Sequence, residues 1–338
     1  MPGNTREVTI YDIAEKLKIS AATVSRGLKD HPWVNEKTKK QILKAAEEMG
    51  YRSNSFASSL RTKSSNVIGV IVPRLNSSFM SDVIAGIEKV VNDNNYNLFI
   101  SQSLETMKRE AENAKAMLNN RVRGLMVSLA YDTDSIEHFE PFIKRNIPVI
   151  FFDRVFDHAN CPQIYIDNYK AGYEVTKHLI EQGCHRIMHI TGNLLRNVYA
   201  ERFRGYKKAL EDYNLAFTDD LLIVNELNSR AGADAARQLL QMAVRPDGIF
   251  VANDICAVGC MQELKKLGIH IPQDIAVAGF NNDPTSCVIE PNLTTINYKG
   301  YEMGEVAARL MISHLVDKHD LQQTHSLCLL YTSDAADE

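Results

Sequence analysis

From Val67 onward the chain repeats one pattern: a short apolar run, a polar turn, then an amphipathic segment of helical length. Runs such as "VIGVIV" and "IPVIFF" are apolar at consecutive positions. That suits strands buried on both faces, and so a parallel sheet covered by helices on both sides. Strands are expected at 67–73, 97–102, 124–129, 149–153, 163–167, 186–191, 221–224, 248–252 and 275–280. Helices are expected at 81–94, 105–119, 169–181, 201–213, 231–242, 254–267 and 298–316. Nine strands are many for one such sheet, and two smaller α/β lobes meeting near residues 161–167 account for them better.

Ligands of open parallel sheets sit off the carboxyl ends of the strands. The residues there are polar in a consistent way: "NSSF" with Ser78 and Phe79, then Ser128, then Asp153 in "FFDR". Arg202 follows the strand at 186–191, Asn253 and Asp254 follow 248–252, and Phe280 and Asn281 close the last strand. Carboxylates accept hydroxyl protons in pairs, arginine donates as a fork and a ring covers an apolar face, which together suit a small polyhydroxylated molecule. Each position also fits a helix cap, since Asp254 opens one helix and Asn168 another.

Nothing in the chain requires catalysis. There is no GxGxxG after a strand, no GxxxxGK[ST], no GxSxG and no HExxH. The histidines are scattered without a partnered nucleophile, so neither an enzyme nor a cofactor is expected. The six cysteines do not form a disulfide framework, and Cys256 and Cys260 lack partners at metal spacing. No apolar run approaches the roughly 18 residues of a membrane span, and the first residues lack a signal-peptide core. A cytoplasmic protein is expected, with no membrane partner.

The charge is divided unevenly. Up to Asn66, 12 Lys or Arg stand against 7 Asp or Glu; beyond it, 26 stand against 35. A small basic module on an acidic body can hold a polyanion while the body stays off it. Within the module, Thr9 and Asp12 form an approximate capping box for a helix through Leu17, with Ile10, Ile13, Ala14 and Leu17 on its apolar face. Ser20 caps a second helix from Ala21 to about Leu28, burying Val24 and Leu28. Two short helices on a tight turn form a helix-turn-helix. The second offers Ala21 and Ala22 to thymine methyls and Arg26 to guanine, with Thr23 and Ser25 placed for phosphates. Gly27 inside that helix costs around 1 kcal/mol relative to alanine. Either something approaches it closely, or the helix end is loose until DNA orders it. A third helix from about Asn35 turns Ile42, Leu43, Ala46 and Met49 inward and stops at Gly50. The following "YRSNSFASSLRTK" is either an ordinary basic linker or a short helix that folds on DNA. In the second case Asn54 caps it, Leu60 wedges between base steps, and Arg61 meets phosphate.

These pieces together resemble the lactose-repressor/galactose-repressor (LacI/GalR) family of bacterial transcription regulators. The matching stretches are "VTIYDIAEKLKISAATVSRGL", "VNEKTKKQILKAAEEMGYRSNSFASSLR", "NVIGVIVP", "PVIFFDRV", "RFRGY", "VANDICAVG" and "IPQDIAVAGFNN", in family order over about residues 8–320. The resemblance implies an α/β fold class: an N-terminal all-α helix-turn-helix domain, then a two-lobed periplasmic-binding-protein-like (type I) core. It also implies a homodimer on a pseudo-palindromic operator, nucleoid-associated when bound. The implied DNA-binding set is Thr9, Tyr11, Ala21, Ala22, Thr23, Ser25, Arg26, Asn54, Ala57, Leu60 and Arg61. The implied effector set is Ser78, Phe79, Ser128, Asp153, Arg202, Asn253, Asp254, Phe280 and Asn281. Two positions depart from the pattern: Ser58 stands where an arginine is common, and Asn281 where a carboxylate is frequent. With two alanines at its tip, the reading helix leans on Arg26, methyl contacts and DNA shape.

The expected organisation is a DNA-binding domain at 1–52, a hinge helix and linker at 53–65, and an effector-binding and dimerisation domain at 66–327. Within that domain, lobe one is 66–162 plus about 292–318, and lobe two is 163–291. The function implied is a repressor whose operator affinity is set by a small molecule, a sugar or sugar derivative, bound between the lobes. One alternative is a global carbon-catabolite regulator answering to a phosphorylated carrier protein. Another is a solute-binding transport protein, disfavoured by the missing signal peptide. Residues 328–338, "CLLYTSDAADE", show no strand alternation, lack a Leu-x-x-Arg ending, and are expected to be a non-native tail.

Overall fold

The computed structural model describes residues 8–51, 65–317, 325–327 and 330–332. The chain divides into two compact units, Met1–Ser65 and Asn66–Glu338. The hinge residues Asn54, Ala57, Leu60 and Arg61, and Ser58 among them, lie outside the described residues.

The first unit packs three helices, α1 (Ile10–Leu17), α2 (Ala21–Leu28) and α3 (Glu36–Glu48), around Ile13, Val24, Val34 and Ile42. The Thr9 backbone N–H and hydroxyl both donate to the Asp12 carboxylate, at 2.7 and 2.6 Å, and hold the start of α1. Ser20 Oγ accepts from the Thr23 N–H at 3.1 Å and Asn35 Oδ1 from the Thr38 N–H at 2.8 Å, so both later helices open on side-chain caps. Gly27 is buried because α3 approaches it: a Cβ there would lie 2.4 Å from Ile42 Cδ1. Leu43 is a correction, since it is 53% exposed. The inward face of α3 is instead Ile42, Ala45, Ala46 and the stem of Lys39, whose ammonium pairs with Asp30 and Glu36.

The second unit holds two parallel sheets. The first contains β1 (Val67–Val72), β2 (Asn97–Gln102), β3 (Leu125–Val127), β4 (Val149–Phe152), β5 (Gln163–Ile166) and β11 (His325–Leu327), in the order β11-β5-β4-β3-β1-β2. Helix α4 (Ser78–Asp93) and helix α11 (Gly300–Asp317) cover one face, over Ile68, Val70, Met126 and Ile150. Helix α5 (Met107–Asn119) and the short turn α6 (Glu140–Ile143) cover the other, over Ile71, Leu125 and Phe151. The second sheet contains β6 (Ile187–Thr191), β7 (Leu222–Val224), β8 (Gly248–Val251) and β9 (Ala276–Ala278), in the order β7-β6-β8-β9. Helices α7 (Asn168–Glu181) and α8 (Asn197–Asp212) pack on one face, and α9 (Ser229–Leu240) and α10 (Asp254–Lys266) on the other.

Two boundaries differ from expectation. The strand at 163–166 belongs to the first sheet, not to lobe two: Gln163 and Ile164 register with Phe151 and Phe152 of β4. The chain leaves the first sheet only after Ile166. At the other end, β12 (Leu330–Thr332) pairs antiparallel with β10 (Thr295–Asn297), so residues 328–338 do contribute a strand. Three residues of Leu, Tyr and Thr suffice for a ladder without an alternating pattern.

Three helix pairs, α4 with α11, α7 with α8 and α9 with α10, are each closed by two glycines that face the partner's backbone. A Cβ on Gly86 of α4 would lie 2.2 Å from the Tyr301 carbonyl oxygen, and one on Gly304 of α11 2.1 Å from that of Val83. Gly172 and Gly205 do the same between α7 and α8, at 2.3 and 2.0 Å from the carbonyls of Arg202 and Tyr169. Gly232 and Gly259 repeat it between α9 and α10, at 2.0 and 2.1 Å. The glycines let helix axes approach more closely than side-chain ridges permit.

Candidate functional site

In the helical unit, the second helix presents Ala22 and Arg26 exposed, with Ala21, Thr23 and Ser25 half-buried. Tyr11 is 70% exposed. Thr9 has its hydroxyl committed to Asp12, and the Thr23 hydroxyl shares a 2.8 Å hydrogen bond with Ser20. Trp33, the one tryptophan of the sequence, is 81% exposed beside this surface and holds the Arg26 guanidinium 5.9 Å from its ring centroid. Sequence reasoning passed over it. A lone tryptophan in the polar loop "DHPWVN" was the available signal.

In the second unit a cavity of about 260 Å³ lies off the carboxyl ends of β1, β4, β6, β8 and β9, between the two sheets. Phe79, Asp153, Arg202, Asn253 and Asn281 line it. Asp153 is nearly buried: Tyr298 Oη donates to it at 2.7 Å and Ser128 Oγ at 3.0 Å. Tyr298 stacks on Phe79 with centroids 4.1 Å apart, and burial, then the Asp153 charge, pushes its phenol well above the ordinary value. It therefore stays a neutral donor.

Arg202 reaches the cavity from α8. Its Nε donates to Asn168 Oδ1 and its Nη1 to the Ala252 carbonyl, both at 2.9 Å, and its Cζ sits 3.4 Å from the Phe280 ring centroid. Burial lowers its pKa while Tyr298, Tyr199 and Asp153 oppose that fall. Two hydrogen bonds and a ring face fix the guanidinium and leave its remaining edge for a ligand. A second cluster lies at the same cavity: Arg154 Nη1 donates to Glu105 at 2.6 Å and Nη2 to Tyr199 Oη at 3.0 Å. Burial opposes the charge on Arg154, but Tyr199, Glu105 and Asp153 more than offset it and raise its pKa.

Four expected positions do not reach the cavity wall. Ser78 lies inside α4, and Ser77, which caps it, takes the wall position. Ser128 points at Asp153, and Phe280 lies fully buried beneath Arg202. Asp254 is fully buried, its carboxylate taking the Thr295 hydroxyl at 2.7 Å and the Asp283 N–H at 2.8 Å, which pins the loop after β9. Asn253 is the cap of α10 as well as a wall residue, accepting from the Cys256 N–H at 2.9 Å. Asn168 is not a cap: Asp167 takes that role, accepting from the Lys170 N–H at 2.8 Å. Arg154 and Asp283, marked in the sequence only by their place after a strand, also line the wall, and sequence reasoning missed Glu105, Tyr199 and Tyr298. Among the described residues no group of His, Cys, Asp and Glu is placed to hold a metal ion, and no helix is long and apolar enough to cross a membrane.

Asp283 is 5% exposed, and burial, with Asp254 next, pushes its carboxyl up to about 6. An unfolded aspartate ionises near 3.9, so folding costs stability that grows between about pH 4 and pH 6 and then holds constant. Asp283→Asn is expected to add on the order of 2 kcal/mol at pH 7.5 and nothing near pH 4. Thermal melts at the two pH values check this; an equal gain at both contradicts a buried ionised carboxylate.

A family model described as "Bacterial regulatory proteins, lacI family" matches residues 9–54, and one for a "Periplasmic binding protein-like domain" matches residues 176–332. Catabolite control protein A of Priestia megaterium is 30% identical over 325 residues, spanning 95% of this chain and 97% of that protein. HTH-type transcriptional regulator RegA of Clostridium acetobutylicum is 32% identical over 332 residues, 96% of each chain. Among solved structures, the lac repressor dimer bound to operator and the anti-inducer ONPF superposes with a TM-score of 0.85 at 24% identity, covering 96% of this chain and 97% of that one. Both ends of the molecule, the helix-turn-helix and the two-sheet core, are thus accounted for by one kind of protein. The chain belongs to the LacI family of bacterial regulatory proteins.

Proposed function

We propose that the chain is a repressor that binds a pseudo-palindromic operator as a homodimer and reads a sugar or sugar derivative in the cavity between its sheets. The carrying observation is that Asp153, after β4 of the first sheet, and Arg202, on α8 over the second sheet, are both buried and line one cavity. A polyhydroxylated molecule touching both bridges the lobes and favours one closure. A ligand shifts DNA affinity by its differential affinity for the two closures, in whichever direction that difference runs. Residues 1–52 form the DNA-binding domain and 53–65 the hinge in this reading, with Ala57 and Leu60 at the minor groove. Bound to operator, the protein resides on the nucleoid in the cytoplasm.

The likeness to catabolite control protein A favours a second reading, a global carbon-catabolite regulator answering to a phosphorylated carrier protein. Relatives of similar identity include ribose operon repressors and purine-type repressors, so identity does not choose between them. A transport role is disfavoured by the matched DNA-binding domain.

Footprinting on the DNA flanking the gene tests the main reading: a protected pseudo-palindrome, released or tightened by a sugar, is the expected result. Arg26 carries the base reading in this account. A bidentate arginine–guanine contact discriminates by about 1–3 kcal/mol. Arg26→Ala is expected to cost at least tenfold on the operator at fixed salt and much less on random DNA, measured by anisotropy. Equal losses on both DNAs make Arg26 a phosphate contact instead.

A further inference from the structure

Asn281, on the loop after β9, brings an uncharged amide to the cavity, yet the cavity does not lack a carboxylate at this end. Asn281 and Asn282 both take positive φ, 123° and 59°, and the next residue, Asp283, lines the cavity. Its backbone N–H is tied to Asp254 Oδ2 at 2.8 Å, so the loop is held in this shape. The side chain is more than nine-tenths buried.

The surroundings of that carboxylate are one-sided. Asp254 and Asp82, both acidic, raise its pKa further, and the Asn281 amide opposes them with a hydrogen bond. No Lys, Arg or His among the described residues forms an ion pair with it. The three arginines lining the cavity have other partners: Arg74 and Arg154 pair with Glu105, and Arg202 is held by Asn168 and the Ala252 carbonyl. A desolvated carboxylate without a cation is costly unless something supplies one. Hydroxyl groups would donate hydrogen bonds and leave the charge uncompensated; an ammonium group does both.

Resting on the effector reading above, we propose that Asp283 is the ligand-facing carboxylate at this end of the cavity and that the effector presents a protonated amine to it, making it an amino sugar. At neutral pH the group is ionised, because its carboxyl titrates at about 6.

The full-length protein and Asp283→Asn are compared at pH 7.5 by thermal shift and calorimetry. The panel is D-glucosamine, D-galactosamine and D-mannosamine, their N-acetylated forms, the parent hexoses and the hexose 6-phosphates. A free hexosamine is expected to bind at least tenfold tighter than its N-acetylated and parent forms, and Asp283→Asn is expected to lose at least tenfold for it. Ligand-free melts establish that the variant folds, and Asp283→Glu is expected to keep the amine preference. A neutral or phosphorylated sugar binding best, or a hexosamine binding equally to Asp283→Asn, overturns the assignment. If that better sugar is lost in Arg202→Ala, the cavity stands as the effector site and only the amine falls. If no member binds and none changes operator affinity, the sugar-effector reading falls with it.

Discussion

Arg202→Ala is expected to make the operator complex deaf to effector, with effector affinity reduced at least a hundredfold. The arginine is fixed before any ligand arrives: two hydrogen bonds at 2.9 Å hold Nε and Nη1, and Phe280 supports the guanidinium plane from 3.4 Å. Positioned this way, it can donate to vicinal hydroxyls without losing rotamer freedom on binding. Hydrogen bonds to charged groups are worth about 1.5–3 kcal/mol, and each tenfold in affinity is about 1.4. Two such bonds to a ligand therefore account for a hundredfold loss or more. The truncation also strands Asn168 Oδ1 and the Ala252 carbonyl in a buried place, with an expected stability loss of about 2–4 kcal/mol. Calorimetry with the best-binding sugar of the panel gives the first number and denaturant unfolding the second. Arg202→Lys separates the two effects: it keeps the charge over Phe280 but not the fork, so stability is expected to recover more than affinity. Effector affinity within threefold of the parent in Arg202→Ala would remove the residue from the site.

Much of this arrangement was legible in the chain because strand ends carry two kinds of information. Continuous apolar runs place β1 to β9, and the polar residue after each run marks a sheet's carboxyl end. Phe79, Asp153, Arg202, Asn253 and Asn281 were found that way, and all five line the cavity. What the pattern does not resolve is direction. Side chains at a strand's end still alternate, so Asn281 faces the cavity while Phe280 beside it is fully buried. Asp254, one residue past Asn253, turns into the protein for the same kind of reason: it opens α10 and is taken up by Thr295 and the loop at 283. Tyr298 was illegible, and Arg154 was marked only by its strand end, because their partners are distant in sequence. Tyr298 serves Asp153 across 145 positions, and Arg154 serves Glu105 across 49. Gly27 was half legible: its cost in a helix flagged a close approach, and Ile42 proved to be the neighbour.

The reciprocal glycines between α7 and α8 carry a second large expected effect, because they set where Arg202 sits. A Cβ added at Gly205 meets Tyr169 O at 2.0 Å, Tyr173 N at 2.6 Å and Gly172 C at 3.1 Å. All three are backbone atoms, so no rotamer change relieves the contact and the helices must separate. Overpacking typically costs about 1–3 kcal/mol, and the better helix propensity of alanine returns only about 1. Since the clash is with main chain, Gly205→Ala is expected near the upper end, a net loss on the order of 2 kcal/mol. For a unit of this size that is a fall in Tm of roughly 4–8 °C. Gly268→Ala is the control: it has φ +80° and nothing within 4 Å of its added methyl, so it carries only a conformational cost of about 1 kcal/mol. The two variants also differ in function. Gly205 lies three residues after Arg202 on α8, and a Cβ added at Gly172 would lie 2.3 Å from the Arg202 carbonyl oxygen. Forcing these helices apart moves the guanidinium off Phe280, so effector affinity is expected to fall at least tenfold in Gly205→Ala and to hold in Gly268→Ala. A Gly205→Ala protein that melts within 2 °C of the parent and binds effector normally would mean that the two helices have room between them, and that Arg202 is positioned by its hydrogen bonds alone.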